Sequence, residues 1–279
     1  MDRCLSSSTR DTFVSASSRE MLNRGIDMGV RPLLSLALLV CLAVPSAFAG
    51  DALIAVATNF SEVMERLESD FEKTGDHTLT VTTGSTGKLY AQIRNGAPFD
   101  VLLAADQRRP ELLEEESRAV GGSCFTYAVG RLTLWSPDVK RVSADGSATL
   151  RAGAFRKLAI ANPDLAPYGA AARETLTVLG HFDKLHARIV RGENVGQAHA
   201  LVATGNADLG FVALSYVLSP RNKHTGSRWD VPQELYTPIR QDAVLLKHGA
   251  ANPAARAFLV FLRTDAARAI IEDFGYGVD

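Results

Sequence analysis

Short apolar segments alternate with segments of helical periodicity along most of the chain. Leu53–Ala57 is a continuous apolar run, and the apolar residues that follow it, from Phe60 to Leu67, recur at three- and four-residue spacing. Further strands are predicted at 78–82, 101–105, 158–161, 187–190, 208–212 and 239–246, and further helices at 87–93, 110–118, 168–179, 196–204 and 253–274. Alternation of strands and helices predicts an α/β fold with mainly parallel sheets.

The predicted strands are too many for one five-stranded sheet, which indicates two α/β lobes. The chain has no Pro- or Gly-rich linker, so we expect the lobes to be joined by strands. The predicted division places residues 1–49 outside the fold, residues 50–130 together with 237–279 in lobe 1, and residues 131–236 in lobe 2.

The first 49 residues contain the pattern of a secretory signal. Arg31 precedes an uncharged apolar stretch, Pro45 ends its core, and Ala47-Phe48-Ala49 places small residues where a signal peptidase reads them. A membrane anchor is the alternative, but the apolar core is shorter than the roughly 20 residues usual for a span. We expect cleavage after Ala49 and a periplasmic protein. The start codon could be Met1, Met21 or Met28, of which Met28 gives a signal of normal length.

Composition and motif spacing exclude several function classes. The formal net charge of −1, without clustered Lys or Arg, argues against a nucleic-acid partner. The six histidines are scattered and no Gly-x-Ser-x-Gly motif is present, so an exported Ser-dependent hydrolase is a weak alternative and we expect no enzyme. No spacing of His or Cys indicates side-chain metal ligands, and no cofactor is expected. Cys124 alone remains after signal removal, so no internal disulfide is possible.

Hydrogen-bond donors follow four of the predicted strands. These four segments are Thr58-Asn59, Gly84-Ser85-Thr86-Gly87-Lys88, Asn162 to Gly169, and Gly192 to Gln197. Each leads into a predicted helix, where backbone N–H groups lack partners and the helix dipole favours an anion. Ser, Thr and Asn are also the usual N-cap residues of any α/β protein. The spacing therefore leaves two interpretations open, an oxyanion site or ordinary helix caps.

The sequence around these segments resembles the periplasmic molybdate-binding proteins, in the family's order and over essentially the whole chain after residue 49. The residues that carry the resemblance are Ala55 to Phe60, Thr83 to Tyr90, Ala97 to Asp106, Asn162-Pro163, Ala166 to Gly169, and Glu193 to Gln197. The resemblance implies a two-lobed periplasmic-binding-protein type II fold, with mixed, mainly parallel sheets flanked by helices and a ligand cleft between the lobes. It also implies a soluble, monomeric receptor that delivers its ligand to the membrane permease of an ABC importer.

The resemblance further implies which residues contact the ligand. Thr58, Asn59 and Ser85 would do so from lobe 1, and Tyr168 and Val195 from lobe 2, largely through backbone N–H groups. One branch of the family has a Tyr after a late strand. This chain has Ala213 at that place, so the extra hydroxyl is missing.

The predicted ligand is an oxyanion that carries no proton. None of the five predicted contact residues is Asp or Glu, so the site lacks the acceptor that a protonated oxyanion would need. This favours molybdate, tungstate or sulfate over phosphate. Molybdate and tungstate are nearly equal in size, so both are expected to bind. A sulfate or thiosulfate receptor on the same fold remains the alternative, and an organic acid would need an Arg clamp that the four segments lack.

Overall fold

A computed structural model of the chain describes residues 50–278. The predicted signal peptide and its cleavage point therefore lie outside the described residues. Within residues 50–278, no helix combines the length and apolarity that a membrane crossing requires.

Residues 50–278 contain ten strands and ten α-helices. The strands are Asp51–Ala57 (β1), Thr78–Gly84 (β2), Val101–Leu103 (β3), Phe125–Gly130 (β4), Leu132–Ser136 (β5), Leu158–Ala161 (β6), Ile189–Gly192 (β7), Leu209–Ala213 (β8), Ser227–Asp230 (β9) and Ile239–Leu245 (β10). The helices are Ser61–Glu72 (α1), Thr86–Arg94 (α2), Arg108–Glu115 (α3), Gly146–Ala152 (α4), Pro167–Val178 (α5), Phe182–Leu185 (α6), Val195–Ala203 (α7), Leu214–Leu218 (α8), Pro253–Phe261 (α9) and Asp265–Asp273 (α10). Short 3-10 helices lie at Thr58–Phe60, His186–Arg188, Gln233–Leu235 and His248–Ala251.

The strands form two five-stranded sheets. The first has the order β2-β1-β3-β10-β4 and the second the order β7-β6-β8-β5-β9. In the first sheet β1 pairs in parallel with β2 and β3, whereas β10 runs antiparallel to β3 and β4. In the second sheet β6 pairs in parallel with β7 and β8, whereas β5 runs antiparallel to β8 and β9. The predicted fold class, two mixed sheets flanked by helices, is confirmed.

The two sheets define the two lobes. We call the first sheet with α1–α3, α9 and α10 the first lobe, and the second sheet with α4–α8 the second lobe. All strands of the second sheet lie between Leu132 and Asp230, so the chain enters the second lobe after β4 and returns to the first before β10. Only Arg131 separates β4 from β5. The two lobes are therefore connected by nearly continuous strands at that point.

Each sheet is covered by helices on its faces. In the first lobe, Phe60, Met64 and Phe258 are fully buried against one face. Leu89 and Leu113 are buried against the other face. Burial on both faces explains why the central strand β1 is almost entirely apolar.

The predicted single helix over 253–274 is wrong. The segment forms two helices, because Thr264 adopts an extended conformation and its Oγ1 accepts a hydrogen bond from the N–H of Ala267, 3.3 Å away. The break allows α9 to pack on β1 while α10 packs on α1. The other predicted strands and helices are present, with ends displaced by a few residues.

Candidate functional site

The carboxyl ends of β1 and β2 lie side by side in the first lobe. Ala57 and Gly84 are register partners, so the residues that follow them, Thr58 and Ser85, are neighbours. The Thr58 hydroxyl donates to the carbonyl of Gly84 at 3.3 Å. Parallel pairing therefore brings together two of the predicted contact residues that are distant in sequence.

Ser85 carries a buried hydroxyl without a partner. It is the N-cap residue of α2, but its side chain makes no capping hydrogen bond. Its side chain is only 2% exposed, and Oγ has no hydrogen-bond partner among the described residues. Because nearly all buried polar atoms in proteins are hydrogen-bonded, this orphan hydroxyl indicates a group that the protein alone does not supply.

The second lobe contributes two helix N-termini. Tyr168 is the second residue of α5, directly after Pro167, which has no N–H. Val195 is the first residue of α7, where the Asn194 side chain caps the N–H of Gln197. The first N–H groups of a helix have no partner within the helix, so those of Tyr168, Val195 and Gly196 can bind a ligand. Both predicted second-lobe residues are thus placed as backbone donors.

The lobes touch around these donors. The hydroxyl of Tyr216 donates to the carbonyl of Thr58, and the hydroxyl of Ser215 donates to the carbonyl of Asn59 at 3.0 Å. A Cβ at Gly196 would lie 3.6 Å from Cγ2 of Thr58, so the start of α7 adjoins the end of β1. The described conformation has these parts of the cleft in contact.

Asn59 is placed differently from the other four. Its side chain is 3% exposed, and Nδ2 donates to Oε1 of Gln241 at 2.8 Å and to the hydroxyl of Tyr276 at 3.0 Å. Both amide hydrogens are therefore used inside the first lobe. What Asn59 can offer a ligand in this conformation is its backbone N–H, at the start of the 3-10 helix Thr58–Phe60.

Neutral groups dominate the surroundings of these five residues. Burial raises the pKa of Tyr168 far above its usual range and the pKa of Tyr276 to about 12, so both hydroxyls stay protonated at neutral pH. An ion pair between the lobes lies beside the turns at Ser85 and Asn194: Lys88, three residues after Ser85, pairs with Glu193, directly before Asn194. Within residues 50–278, no three His, Cys, Asp or Glu side chains are grouped to hold a metal ion. The arrangement suits an anion bound by uncharged donors.

Sequence reasoning missed four residues around the site. Ser215 and Tyr216 contact the Thr58-Asn59 turn from the second lobe, and Gln241 and Tyr276 bind the Asn59 side chain. Gln241 could have been noticed as a polar residue in a strand otherwise expected to be buried. The Tyr216 hydroxyl, three residues after Ala213, donates to the Thr58 carbonyl, so it does not replace the ligand-binding hydroxyl that is missing at Ala213.

Two lobes that meet over a set of inward-facing donors define a binding protein that closes on a small ligand. The sequence pattern of the bacterial extracellular solute-binding proteins matches residues 52–277, and the chain belongs to that family. It is therefore a solute-binding receptor that acts outside the cytoplasm, and the prediction that it is not an enzyme is confirmed.

Three proteins show how similar the chain is to known members. The molybdate-binding protein ModA of Azotobacter vinelandii is 49% identical over 233 residues, which cover 84% of this chain and 92% of that protein. The molybdate-binding protein ModA of Rhodobacter capsulatus is 50% identical over 243 residues, which cover 87% of this chain and 94% of that protein. The solved structure of the Azotobacter vinelandii periplasmic molybdate-binding protein superposes with a TM-score of 0.79 at 43% identity, covering 82% of this chain and 99% of that one.

Proposed function

We propose that the protein is a periplasmic receptor that captures molybdate, and also tungstate, and delivers it to an ABC importer. The single observation that carries this proposal is the buried, unpartnered hydroxyl of Ser85 at the N-terminus of α2, a helix start that contacts the segment before α5 through the Gly87 N–H and the Leu165 carbonyl, 2.9 Å apart. The identity of about half of all residues with two proteins named for molybdate binding supports the choice of anion.

The donor chemistry accounts for capture of a dianion. A tetrahedral dianion must lose its hydration shell on entering the cleft, which is costly unless hydrogen bonds replace the water. Hydrogen bonds to charged groups contribute roughly 1.5–3 kcal/mol each, so the Ser85 hydroxyl, together with backbone N–H groups of Asn59, Tyr168 and Val195, can offset that cost. The Thr58 hydroxyl becomes a further donor when it exchanges the Gly84 carbonyl for the anion. Helix N-termini add a favourable field without placing a counter-ion in the site.

Delivery requires a membrane partner that distinguishes the loaded receptor from the empty one. Lobe closure over the anion provides that difference, because it joins surfaces of both lobes. The proposed partner is the permease of an ABC importer, and the proposed receptor is a monomer that binds no nucleic acid. Residues 1–49 are proposed to direct export and to be cleaved after Ala49, which the mass of the exported protein tests directly.

A panel of oxyanions tests the proposed function. Protein purified from the periplasm is titrated by calorimetry with molybdate, tungstate, sulfate, thiosulfate and phosphate, and its melting temperature is measured with each. Ligands that bind the folded state raise the melting temperature, so molybdate and tungstate alone should raise it strongly. A rise with sulfate or thiosulfate alone would keep the receptor class and overturn the choice of anion. No rise with any of the five would overturn the oxyanion receptor.

A further inference from the structure

Gln241 is a buried polar residue at the base of the cleft. It is the third residue of β10, the first strand after the chain has returned from the second lobe, and its exposure is 0%. The pairing of β10 with β4 shifts register between Gln241 and Asp242, leaving Tyr127 as the extra residue on β4. Register shifts of this kind re-aim side chains, and here Tyr127 donates from the partner strand to Oε1 of Gln241 at 3.2 Å.

Both ends of the Gln241 amide contact predicted ligand residues. Oε1 accepts from Nδ2 of Asn59 at 2.8 Å, and Nε2 donates to the hydroxyl of Tyr168 at 3.4 Å. Asn59 belongs to the first lobe and Tyr168 to the second. One side chain therefore links the turn after β1 to the N-terminus of α5, across the boundary between the lobes.

Gly130 leaves the space that this link needs. It is the last residue of β4, next to the crossing into the second lobe. A Cβ on Gly130 would lie 2.2 Å from the Tyr168 hydroxyl oxygen and 2.6 Å from Nε2 of Gln241. Non-bonded atoms do not approach each other so closely, so any larger residue at position 130 would displace Tyr168 or Gln241. This requirement for space is independent of the hydrogen bonds and concerns the same two atoms.

We propose that Gln241 is a positioning residue that fixes the two halves of the anion site relative to each other, through Asn59 on one side and Tyr168 on the other. This inference rests on the proposed function. The side chain of Tyr168 then acts through Gln241, while the backbone N–H of Tyr168 acts on the ligand. Because most affinity differences at one site appear in the dissociation rate, loss of the link should mainly speed the release of molybdate.

A double-mutant cycle tests the link. Gln241→Met, Tyr168→Phe and the double variant are compared with the native sequence for molybdate affinity by calorimetry and for dissociation rate by stopped flow, with tungstate as a second anion. Each single change should weaken binding roughly tenfold. The double variant should bind only slightly more weakly than the weaker-binding single variant, because the effects of substitutions at contacting residues are not additive. A double variant weakened by the product of the two single effects would overturn the proposal, as would unchanged affinity in either single variant.

A second cycle avoids removing the buried amide, in case Gln241→Met does not fold. Gly130→Ala should weaken binding in the native background, and it should weaken binding less in the Tyr168→Phe background, where the clash with the hydroxyl is gone and the one with Nε2 of Gln241 remains. Equal losses in both backgrounds would contradict the link. The melting temperature of the ligand-free variants distinguishes the positioning role from a merely structural one. A variant that only loses stability melts at a lower temperature, and its effect on affinity is additive with that of the second change.

Matched variants away from the site provide the controls. Tyr90→Phe removes a hydroxyl that donates to Glu116 at 2.8 Å in the first lobe, and Gln92→Met changes an exposed side chain of α2. Both should bind molybdate as the native protein does. If the native protein binds neither molybdate nor tungstate, the proposed function fails and this inference fails with it. If it binds and the cycles are additive, only the positioning role of Gln241 fails.

Discussion

Ser85 carries the one buried hydroxyl among residues 50–278 that has no hydrogen-bond partner within the protein. Thr86, its neighbour, is equally buried, but its Oγ1 accepts a hydrogen bond from the N–H of Ala105 at 3.0 Å. A buried hydroxyl without a partner costs stability, whereas one that binds an anion contributes to affinity. The two properties can therefore be separated by removing the Oγ atom of Ser85.

Ser85→Ala should bind molybdate about tenfold to a hundredfold more weakly, the loss of one hydrogen bond to a charged group. Its ligand-free melting temperature should stay the same or rise, because the change removes an unsatisfied buried atom. Calorimetry and thermal unfolding measure the two effects. Ser123→Ala is the control. It should bind molybdate normally but melt at a lower temperature, since its hydroxyl donates to the Val120 carbonyl at 2.6 Å. A Ser85→Ala variant that melts earlier and binds normally would contradict the assigned role.

Asn59→Asp should weaken binding of molybdate and also lower the melting temperature. The carboxylate cannot donate to Gln241 or Tyr276 as the amide does, and it adds negative charge beside the anion. Calorimetry and thermal unfolding are the measurements. Asn206→Asp is the control, at an exposed residue of the second lobe whose amide donates to Thr204. It introduces the same charge and should change neither the affinity for molybdate nor the melting temperature. Unchanged affinity of Asn59→Asp would remove that residue from the site.

Most elements could be predicted from apolar spacing, but the short helices α4, α6 and α8 and the strands β4, β5 and β9 could not. The strands β4 and β5 follow each other with only Arg131 between them, so no helix marks their ends. Strand β9 lies at the edge of its sheet and is half exposed, so it lacks an apolar run. Antiparallel partners join by long-range pairing rather than by local alternation, and a reading of local spacing does not detect them.

The site was predictable to the extent that strand ends determine it. The segments that contain Thr58, Ser85, Tyr168 and Val195 follow strands and lead into helices, which the sequence predicted, whereas the choice of these residues within the segments was implied by the family resemblance. The use of the Asn59 amide inside the first lobe depends on Gln241, which is 182 residues away, and no local pattern contains that contact.

His199 shows how helix α7 is held in the second lobe. Its ring stacks on Trp135 with centroids 5.0 Å apart, and on Tyr216 with centroids 5.0 Å apart. Burial, with a smaller contribution from His224, lowers the pKa of His199 to about 4. The ring is therefore neutral in the folded protein at pH values where it is protonated in the unfolded chain. Proton uptake on unfolding must then reduce stability as the pH falls from about 6.5 towards 4.

His199→Phe should remove that pH dependence while keeping a stacked ring. The native protein should lose about 2 kcal/mol of unfolding free energy from this group between pH 7 and pH 4.5, and the variant should lose correspondingly less. Urea unfolding at the two pH values gives the difference. His186→Gln, at an exposed histidine, should leave the native pH dependence in place. An equal loss of unfolding free energy between pH 7 and pH 4.5 in His199→Phe and in the native protein would contradict a neutral, buried His199.

At the scale of the whole molecule, the two lobes are also connected by charged side chains around the cleft. Lys88 pairs with Glu193, and Arg221 of the second lobe pairs with Glu65 of α1, with Nη1 3.0 Å from Oε1. The guanidinium of Arg109 reaches the carbonyl of Asp164 at 3.2 Å, and the N–H of Gly87 donates to the carbonyl of Leu165 at 2.9 Å. These contacts lie on several sides of the cleft, and they can persist only while the lobes are together.

The charged contacts should influence how long the lobes stay closed, but only modestly. Exposed ion pairs contribute about 0.2–1 kcal/mol and are screened by salt. Glu193→Gln should therefore speed molybdate release by at most about fivefold, and raising the salt concentration should speed release less in this variant than in the native protein.

Stopped-flow dissociation at low and high ionic strength measures both effects. Glu115→Gln is the control, because it breaks an exposed pair with Arg108, 3.1 Å apart, within the first lobe alone. That control should release molybdate at the native rate with the native dependence on salt. If Glu193→Gln and Glu115→Gln behave alike, the Lys88–Glu193 pair has no part in closure. The closed state would then depend on the anion, on the uncharged contacts at Gly87, Ser215 and Tyr216, and on the remaining contacts of Arg221 and Arg109.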